Sequence, residues 1–117
     1  MEPFIGQIMM FGGNFAPRGW TFCDGQLLSI MQNQSLYSII GTTYGGDGRN
    51  TFGLPDLRGR IAIGEGQGQG LSTRHLGSQG QFATENCARG NQDLDSGVHY
   101  TTINYIIALE GTFPPRS

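Results

Sequence analysis

The N-terminal residues predict a strand over Phe4–Phe11 with apolar side chains on both faces. With a period of two, one face carries Ile5, Gln7, Met9 and Phe11, and the other carries Phe4, Gly6, Ile8 and Met10. A strand at the surface of a sheet usually has one polar face. We therefore expect residues 1–11 to be buried on both sides or to lie in a contact between subunits.

Three further stretches alternate between apolar and other residues, and they predict short strands. Trp20–Cys23 is the first, and a tight turn at Asp24-Gly25 should follow it, since glycine accepts positive φ. Arg60–Ile63 has a similar but shorter pattern. The clearest alternation is near the C-terminus, where Ile103, Tyr105, Ile107 and Leu109 share one face and Thr102 and Asn104 share the other.

One segment, about residues 31–40, has helical spacing. Leu36, Ile39 and Ile40 are its apolar positions, and Gly41 is suited to end it. Ser29 and Gln32 resemble a capping box before it.

These elements predict a mainly β, α+β fold with one short α-helix and many loops. Residues 42–50 and the alternating glycines of 64–70 predict irregular backbone, and residues 71–98 have no convincing periodicity. The chain has no internal repeat or linker. Its 117 residues are within the usual size of one domain, so we expect residues 1–117 to form a single compact unit.

Composition favours association and argues against nucleic acid as a partner. Charged residues are 14% of the chain, all seven basic residues are arginine, and the net charge is −2. Weak charge promotes association, and a nucleic-acid surface needs clustered basic residues. The N-terminus lacks the pattern of a signal peptide, and no apolar run is long enough to insert into a membrane.

Residues with catalytic or ligand-binding potential do not form a recognisable motif. The glycines of 64–70 are not followed by the lysine that a phosphate loop needs, and no nucleophile elbow is present. His75, His99, Cys23 and Cys87 lack zinc-site spacing. We expect no catalysis, no cofactor and no metal, although one histidine from each of three chains could still meet on a trimer axis.

The sequence contains two cysteines, Cys23 and Cys87, and does not decide whether they are bonded to one another. They could be separate buried thiols, or they could form a disulfide within or between subunits, as suits an extracellular protein.

Two polar turns are predicted to brace the structure. Asp56 and Arg58 follow Pro55 in a turn, and two residues this close cannot easily face one another within a strand. We expect each to hold a neighbouring loop, with Asp56 accepting backbone N–H groups and Arg58 donating from its planar fork. Trp20 should lie in the core near the Asp24-Gly25 turn.

Several blocks together resemble the phage tail-collar family, whose members build the tips of viral tail fibres and related bacterial surface fibres. The matching blocks are Ile5–Phe11, Pro17–Leu28, Leu36–Arg60, Gly66–Gly80 and Ile103–Gly111 followed by Pro114-Pro115-Arg116. Many members also contain a His-x-His pair and a longer receptor-binding insertion. In this chain residues 81–100 form a shorter connector without that pair.

The resemblance implies an assembled, non-enzymatic protein, and it leaves two functional hypotheses. The first is a structural subunit that forms an extracellular or virion-tail fibre with itself, as a trimer or filament. The second is an adhesin module that binds cell-surface glycan such as lipopolysaccharide. The residues assigned to structure and assembly are Phe4, Ile5, Ile8, Met10, Trp20, Asp24, Gly25, Asp56, Arg58 and Tyr105.

Overall fold

Three small antiparallel sheets and one short helix form the fold in the computed structural model, which describes residues 2–81 and 99–116. In chain order the elements are β1 (Ile8–Phe11), β2 (Trp20–Phe22), β3 (Leu27–Ser29), α1 (Gln34–Ile40), β4 (Thr51–Gly53), β5 (Gly66–Gln67), β6 (Thr73–Arg74) and β7 (Asn104–Ala108). The predicted fold class, mainly β with one short helix, is confirmed.

The largest sheet has the order β1-β7-β2, so the strand nearest the C-terminus is its centre. Strands β3 and β4 form a second sheet, and β5 and β6 form a hairpin from the alternating-glycine region. Ile106, Ile107 and Ala108 are all buried. The predicted strand is present, and Tyr105, Ile107 and Leu109 share the face that meets the core, as predicted. The opposite face is covered as well at Ile106 and Ala108, because β7 is the central strand of its sheet.

Strand β1 begins later than predicted because the chain makes a bulge at Gly6. The Gly6 N–H donates to the carbonyl of Ala108 at 3.0 Å, and the Ala108 N–H donates to the carbonyl of Gln7 at 3.0 Å. Gly6 and Gln7 thus both lie opposite Ala108, and Gly6 has φ 87°, as in a glycine-type β-bulge. The extra residue shifts the alternation, so Ile5 is buried in the core while Met9 is exposed.

Helix α1 lies within the predicted segment but is shorter. The Ser29 hydroxyl accepts the Gln32 N–H at 3.4 Å, in a turn that precedes the helix. The residue at the helix N-cap is Asn33, whose side chain makes no capping bond. Gly41 ends the helix at φ 54°, and its N–H donates to the carbonyl of Tyr37, so the predicted stop is confirmed.

The core lies between α1, β4 and one face of the largest sheet. Its buried members are Ile5, Cys23, Leu36, Phe52, Leu54 and Ile107. Tyr37 packs on Phe52 with ring centroids 5.4 Å apart. This small core is typical of a chain with so much irregular backbone.

The strand predicted over Arg60–Ile63 is not present, and that prediction is wrong. Ile61 and Ile63 are exposed, and no partner strand lies beside them in residues 2–81 or 99–116. Alternation alone does not make a strand, because the backbone groups also need a ladder to pair with.

Candidate functional site

The two most distinctive sequence blocks, Gly19–Gln26 and Phe52–Arg60, lie side by side and pair through their backbones. The Leu57 N–H donates to the carbonyl of Cys23 at 2.9 Å, and the Gly25 N–H donates to the carbonyl of Pro55 at 3.1 Å. Asp24 and Asp56 form an isolated antiparallel bridge between these bonds. Three of the predicted residues, Asp24, Gly25 and Asp56, are thereby brought together.

Gly25 permits this close approach. It has φ 79°, which side chains with a Cβ rarely adopt. A Cβ on Gly25 would lie 3.1 Å from the Cβ of Asp56. The glycine of the predicted turn is therefore needed both for its backbone conformation and for the space it leaves.

Asp56 and Arg58 form a bidentate ion pair, contrary to the expectation that each would hold a different loop. The Arg58 Nε donates to Asp56 Oδ1 at 2.9 Å, and the Arg58 Nη2 donates to Asp56 Oδ2 at 2.9 Å. The turn brings the two side chains close enough for the guanidinium to reach both carboxylate oxygens. The predicted Asx-type turn is also present, because the Arg58 N–H donates to Asp56 Oδ1 at 3.2 Å.

A second guanidinium, which the sequence reasoning missed, completes this cluster. The Arg60 Nη1 lies 3.4 Å from Asp56 Oδ2 and donates to the backbone carbonyl of Asp56 at 3.3 Å. The hydrogen bonds from Arg58, followed by the charges of both arginines, hold the pKa of Asp56 far below its ordinary value. The cluster is a fully ionised brace at the surface.

Asp24 is tied into the same region by Gln26. The Gln26 Nε2 donates to Asp24 Oδ1 at 3.0 Å and to the Thr21 hydroxyl at 3.1 Å. These contacts connect the end of β2 to the start of β3. They support a structural role for Asp24.

Cys23 is buried in the core. Burial, followed by the charge of Asp24, raises the pKa of its thiol to about 11. Such a thiol is protonated and unreactive at neutral pH. Cys87 is outside the described residues, so the question of a bridge to it stays a prediction.

Most of the predicted assembly residues lie in or beside the β1-β7-β2 sheet. Ile8 and Met10 of β1 are 39% and 61% exposed, and Phe4, which forms a parallel bridge with Thr112, is 49% exposed. Ile5 is instead a core residue. Tyr105 packs half-buried against the core and accepts the Cys23 N–H through its carbonyl at 2.9 Å.

Trp20 is not a core residue, and that expectation is wrong. It lies half-buried in β2, opposite Ala108. By register Trp20 and Phe22 share a sheet face with Met9 and Ile106, and this face is opposite to the one on which Tyr105 and Ile107 meet the core. The sequence marked Trp20 as important but could not say which face it occupies.

Candidate chemistry is sparse in the part of the chain that the structure describes. Those residues contain no group of three or more His, Cys, Asp or Glu placed to bind a metal. An open, mainly polar cleft of about 390 Å³ lies beside the brace, lined by Gly25, Thr43, Tyr44, Leu54, Pro55, Asp56, Gly77 and Gln79. None of the helices within residues 2–81 and 99–116 has the length and apolar character that crossing a membrane requires.

Comparison with known proteins identifies the class. Residues 6–62 match the phage tail collar domain, and this range includes the bulge, the bridge between Asp24 and Asp56 and the Asp56 brace. Residues 6–62 of the chain are therefore a phage tail collar domain, as the sequence resemblance predicted. It is also 38% identical over 79 residues to the short tail fiber protein gp12 of Enterobacteria phage T4, and this match covers 67% of the chain and 15% of that relative.

Proposed function

We propose that this chain is a non-enzymatic structural subunit that assembles with copies of itself into a fibre, in a virion tail or on a bacterial surface. The single observation that carries the proposal is the character of β1. It is an edge strand, and Ile8, Met9 and Met10 are all exposed on it.

Edge strands in soluble monomers are usually protected by charge, proline, a bulge in mid-strand or a covering loop. The four residues of β1, Ile-Met-Met-Phe, include neither charge nor proline. Its bulge at Gly6 precedes the strand and leaves residues 8–11 regular. Strand addition by a neighbouring subunit would satisfy the open backbone groups and bury the exposed side chains together.

The braced turn at Asp56 supports the same function. Arg58 and Arg60 both bond with Asp56, and Asp56 lies where the two sequence blocks pair through their backbones. Nothing in this geometry needs a substrate. It stabilises a small domain whose core contains few large residues.

Electron micrographs of the purified full chain test the proposal. We expect fibres or discrete regular oligomers. A field of separate particles of monomer size, at every concentration up to the limit of solubility, would contradict it.

A second candidate function is an adhesin that binds cell-surface glycan, and the cleft beside Asp56 favours it. Carboxylate, hydroxyl and amide groups line this cleft together with Tyr44. Saturable binding of lipopolysaccharide to discrete oligomers, lost in Tyr44→Ala, would support this alternative. Absence of binding would leave the fibre role as the better account.

A further inference from the structure

The free edge of β1 has a definite hydrogen-bonding pattern. On β7, the carbonyl of Tyr105 and the N–H of Leu109 bond toward the β2 side. The Ala108 N–H bonds toward the β1 side, to the carbonyl of Gln7. Because bonded pairs alternate along an antiparallel ladder, Gln7, Met9 and Phe11 direct their backbone groups to β7.

It follows that Ile8 and Met10 direct their N–H and carbonyl groups away from the sheet. Neither residue makes another backbone hydrogen bond within residues 2–81 and 99–116. The outer edge of β1 therefore presents two N–H donors and two carbonyl acceptors. All four belong to Ile8 and Met10, whose side chains lie on the same face of the sheet. Both side chains are exposed as well, although their partners on β7, Ile107 and Tyr105, meet the core.

We infer that this edge pairs with the same edge of a second copy, antiparallel and centred on Met9. This inference rests on the proposed function, because it specifies the first contact between assembling subunits. The two-fold pairing closes on itself as a dimer, and a fibre needs a further contact between dimers. In this register Ile8 of one copy opposes Met10 of the other, and the two Met9 residues oppose one another. Four hydrogen bonds then form, and both free residues of each copy are used.

Neighbouring registers use the edge less completely. Centring the pair on Ile8 would place Met10 opposite Gly6, whose N–H already bonds to Ala108. Centring it on Met10 would place Ile8 opposite Gly12, beyond the end of β1. The register centred on Met9 is the one that matches all of the free groups.

The surface chemistry also suits a second copy of this chain. Strand β1 has no charged residue, so two copies meet without like-charge repulsion. The pairing creates one six-stranded sheet whose order is β2-β7-β1-β1-β7-β2. Met9 of each copy, with Phe11, joins the half-buried Trp20 and Phe22 in one continuous apolar face.

Four hydrogen bonds between exposed edges contribute little alone, since each replaces bonds to water. The exposed apolar side chains supply the rest, because their burial is favourable in proportion to area. Ile8 and Met10 of each copy pack against their counterparts on the core side. The two Met9 side chains pack against one another on the opposite face of the sheet.

Cysteine cross-linking tests this register. Directly opposed residues of a non-hydrogen-bonded pair have Cα atoms about 4.5 Å apart, which a disulfide can span. In a Cys87→Ser background, Met9→Cys should therefore form a covalent dimer under mild oxidation. Met10→Cys should not, because it opposes Ile8 and lies beyond the roughly 7 Å limit from its own counterpart.

The Met10→Cys variant is a stringent control, since Met10 is more exposed than Met9, at 61% against 42%. Random collision would cross-link it at least as fast. As a second positive arm, an equal mixture of Ile8→Cys and Met10→Cys should form the mixed dimer. Sedimentation of each reduced variant, together with its melting temperature, checks that it folds and associates as the parent does.

The outcomes separate the inference from the proposed function. The register is supported if Met9→Cys forms a covalent dimer, if Ile8→Cys and Met10→Cys together form the mixed dimer, and if Met10→Cys alone forms little dimer. An associating protein in which Met10→Cys cross-links as well as Met9→Cys, or in which Met9→Cys does not cross-link, overturns the register and leaves fibre formation standing. A parent chain that stays monomeric overturns both.

Discussion

The guanidinium of Arg58 donates two parallel hydrogen bonds to the carboxylate of Asp56, each 2.9 Å long. Asp56 is the centre of this arrangement, because it also accepts the Arg58 N–H and lies near Arg60. Arg58 is the more exposed member of the pair, with 71% of its side chain accessible against 21% for Asp56. The two residues should therefore differ in their effect on stability.

Asp56→Ala should lower the melting temperature more than Arg58→Ala. The first change removes every bond that the Asp56 carboxylate makes, whereas the second leaves Arg60 in place and removes an exposed partner, whose contribution is small. Asp56→Asn, which keeps one acceptor oxygen, is the matched control. Its melting temperature should lie between those of Asp56→Ala and Arg58→Ala. Thermal unfolding followed by circular dichroism measures all three, and a larger loss for Arg58→Ala would contradict this order.

Acid should weaken the loop that contains Asp47. Backbone N–H groups, first that of Thr51 and then those of Asn50 and Arg49, lower the pKa of Asp47 to about 2 from 3.8. Since the pKa is lower in the folded state, the carboxylate stabilises the fold fully above pH 3.8. That stabilisation is lost as the pH falls toward about 2.

Asp47→Asn removes this titration, so its melting temperature should change less with pH over that interval than the melting temperature of the parent. Equal pH dependence in the two proteins would show that Asp47 is not held as the structure indicates.

Cys23 should resist alkylation until the domain unfolds. Burial raises the pKa of its thiol to about 11, and only the thiolate reacts. In a Cys87→Ser background, iodoacetamide at pH 8 should label Cys23 slowly in native protein and fully in denaturant. Rapid labelling of the native protein would mean that the core around Cys23 opens readily.

Gly46 should be among the least replaceable glycines. It has φ 91°, and a Cβ there would overlap Phe52 Cα and lie 2.6 Å from the Thr51 carbonyl oxygen. The strained backbone and the overlap with neighbouring backbone should together cost on the order of 3 kcal/mol in Gly46→Ala.

Gly64→Ala is the matched control, because Gly64 has open space around the Cβ position and no positive φ. Urea unfolding of the two variants measures the difference. Similar midpoints for both would contradict the close packing of Gly46 against Thr51 and Phe52 of β4.

The sequence predicted local elements well where turn chemistry and periodicity agreed. Gly41 is an example, since a helix end of this kind requires a positive φ that glycine provides. At Asp24-Gly25 the positive φ of the glycine is present, but the predicted tight turn is wrong, because Asp24 instead forms a bridge to Asp56. The residue chemistry also predicted the Asx-type turn at Asp56, which is present. The internal geometry of that turn was not predictable, because only the structure shows that Asp56 and Arg58 face one another.

The remaining errors concern tertiary context. The bulge at Gly6 inserts one residue and so reverses the face assignment of Ile5, which no two-residue periodicity can reveal. The position of β7 at the centre of its sheet, which buries consecutive residues on both faces, was not predictable from the alternation of Tyr105 and Ile107 alone. Trp20 looked like a core anchor from its size alone, but its face is set by its pairing with Ala108.

Sedimentation velocity over a range of concentrations tests the central claim, assembly through β1, most directly. The measurement compares the parent chain with Met10→Lys, which places a charge on the free edge, and with Met31→Lys, which places the same charge at an exposed methionine outside the sheet. The parent and Met31→Lys should associate as concentration rises, whereas Met10→Lys should remain a folded monomer. A monomeric parent, or a Met10→Lys variant that associates as strongly as Met31→Lys, would contradict the account.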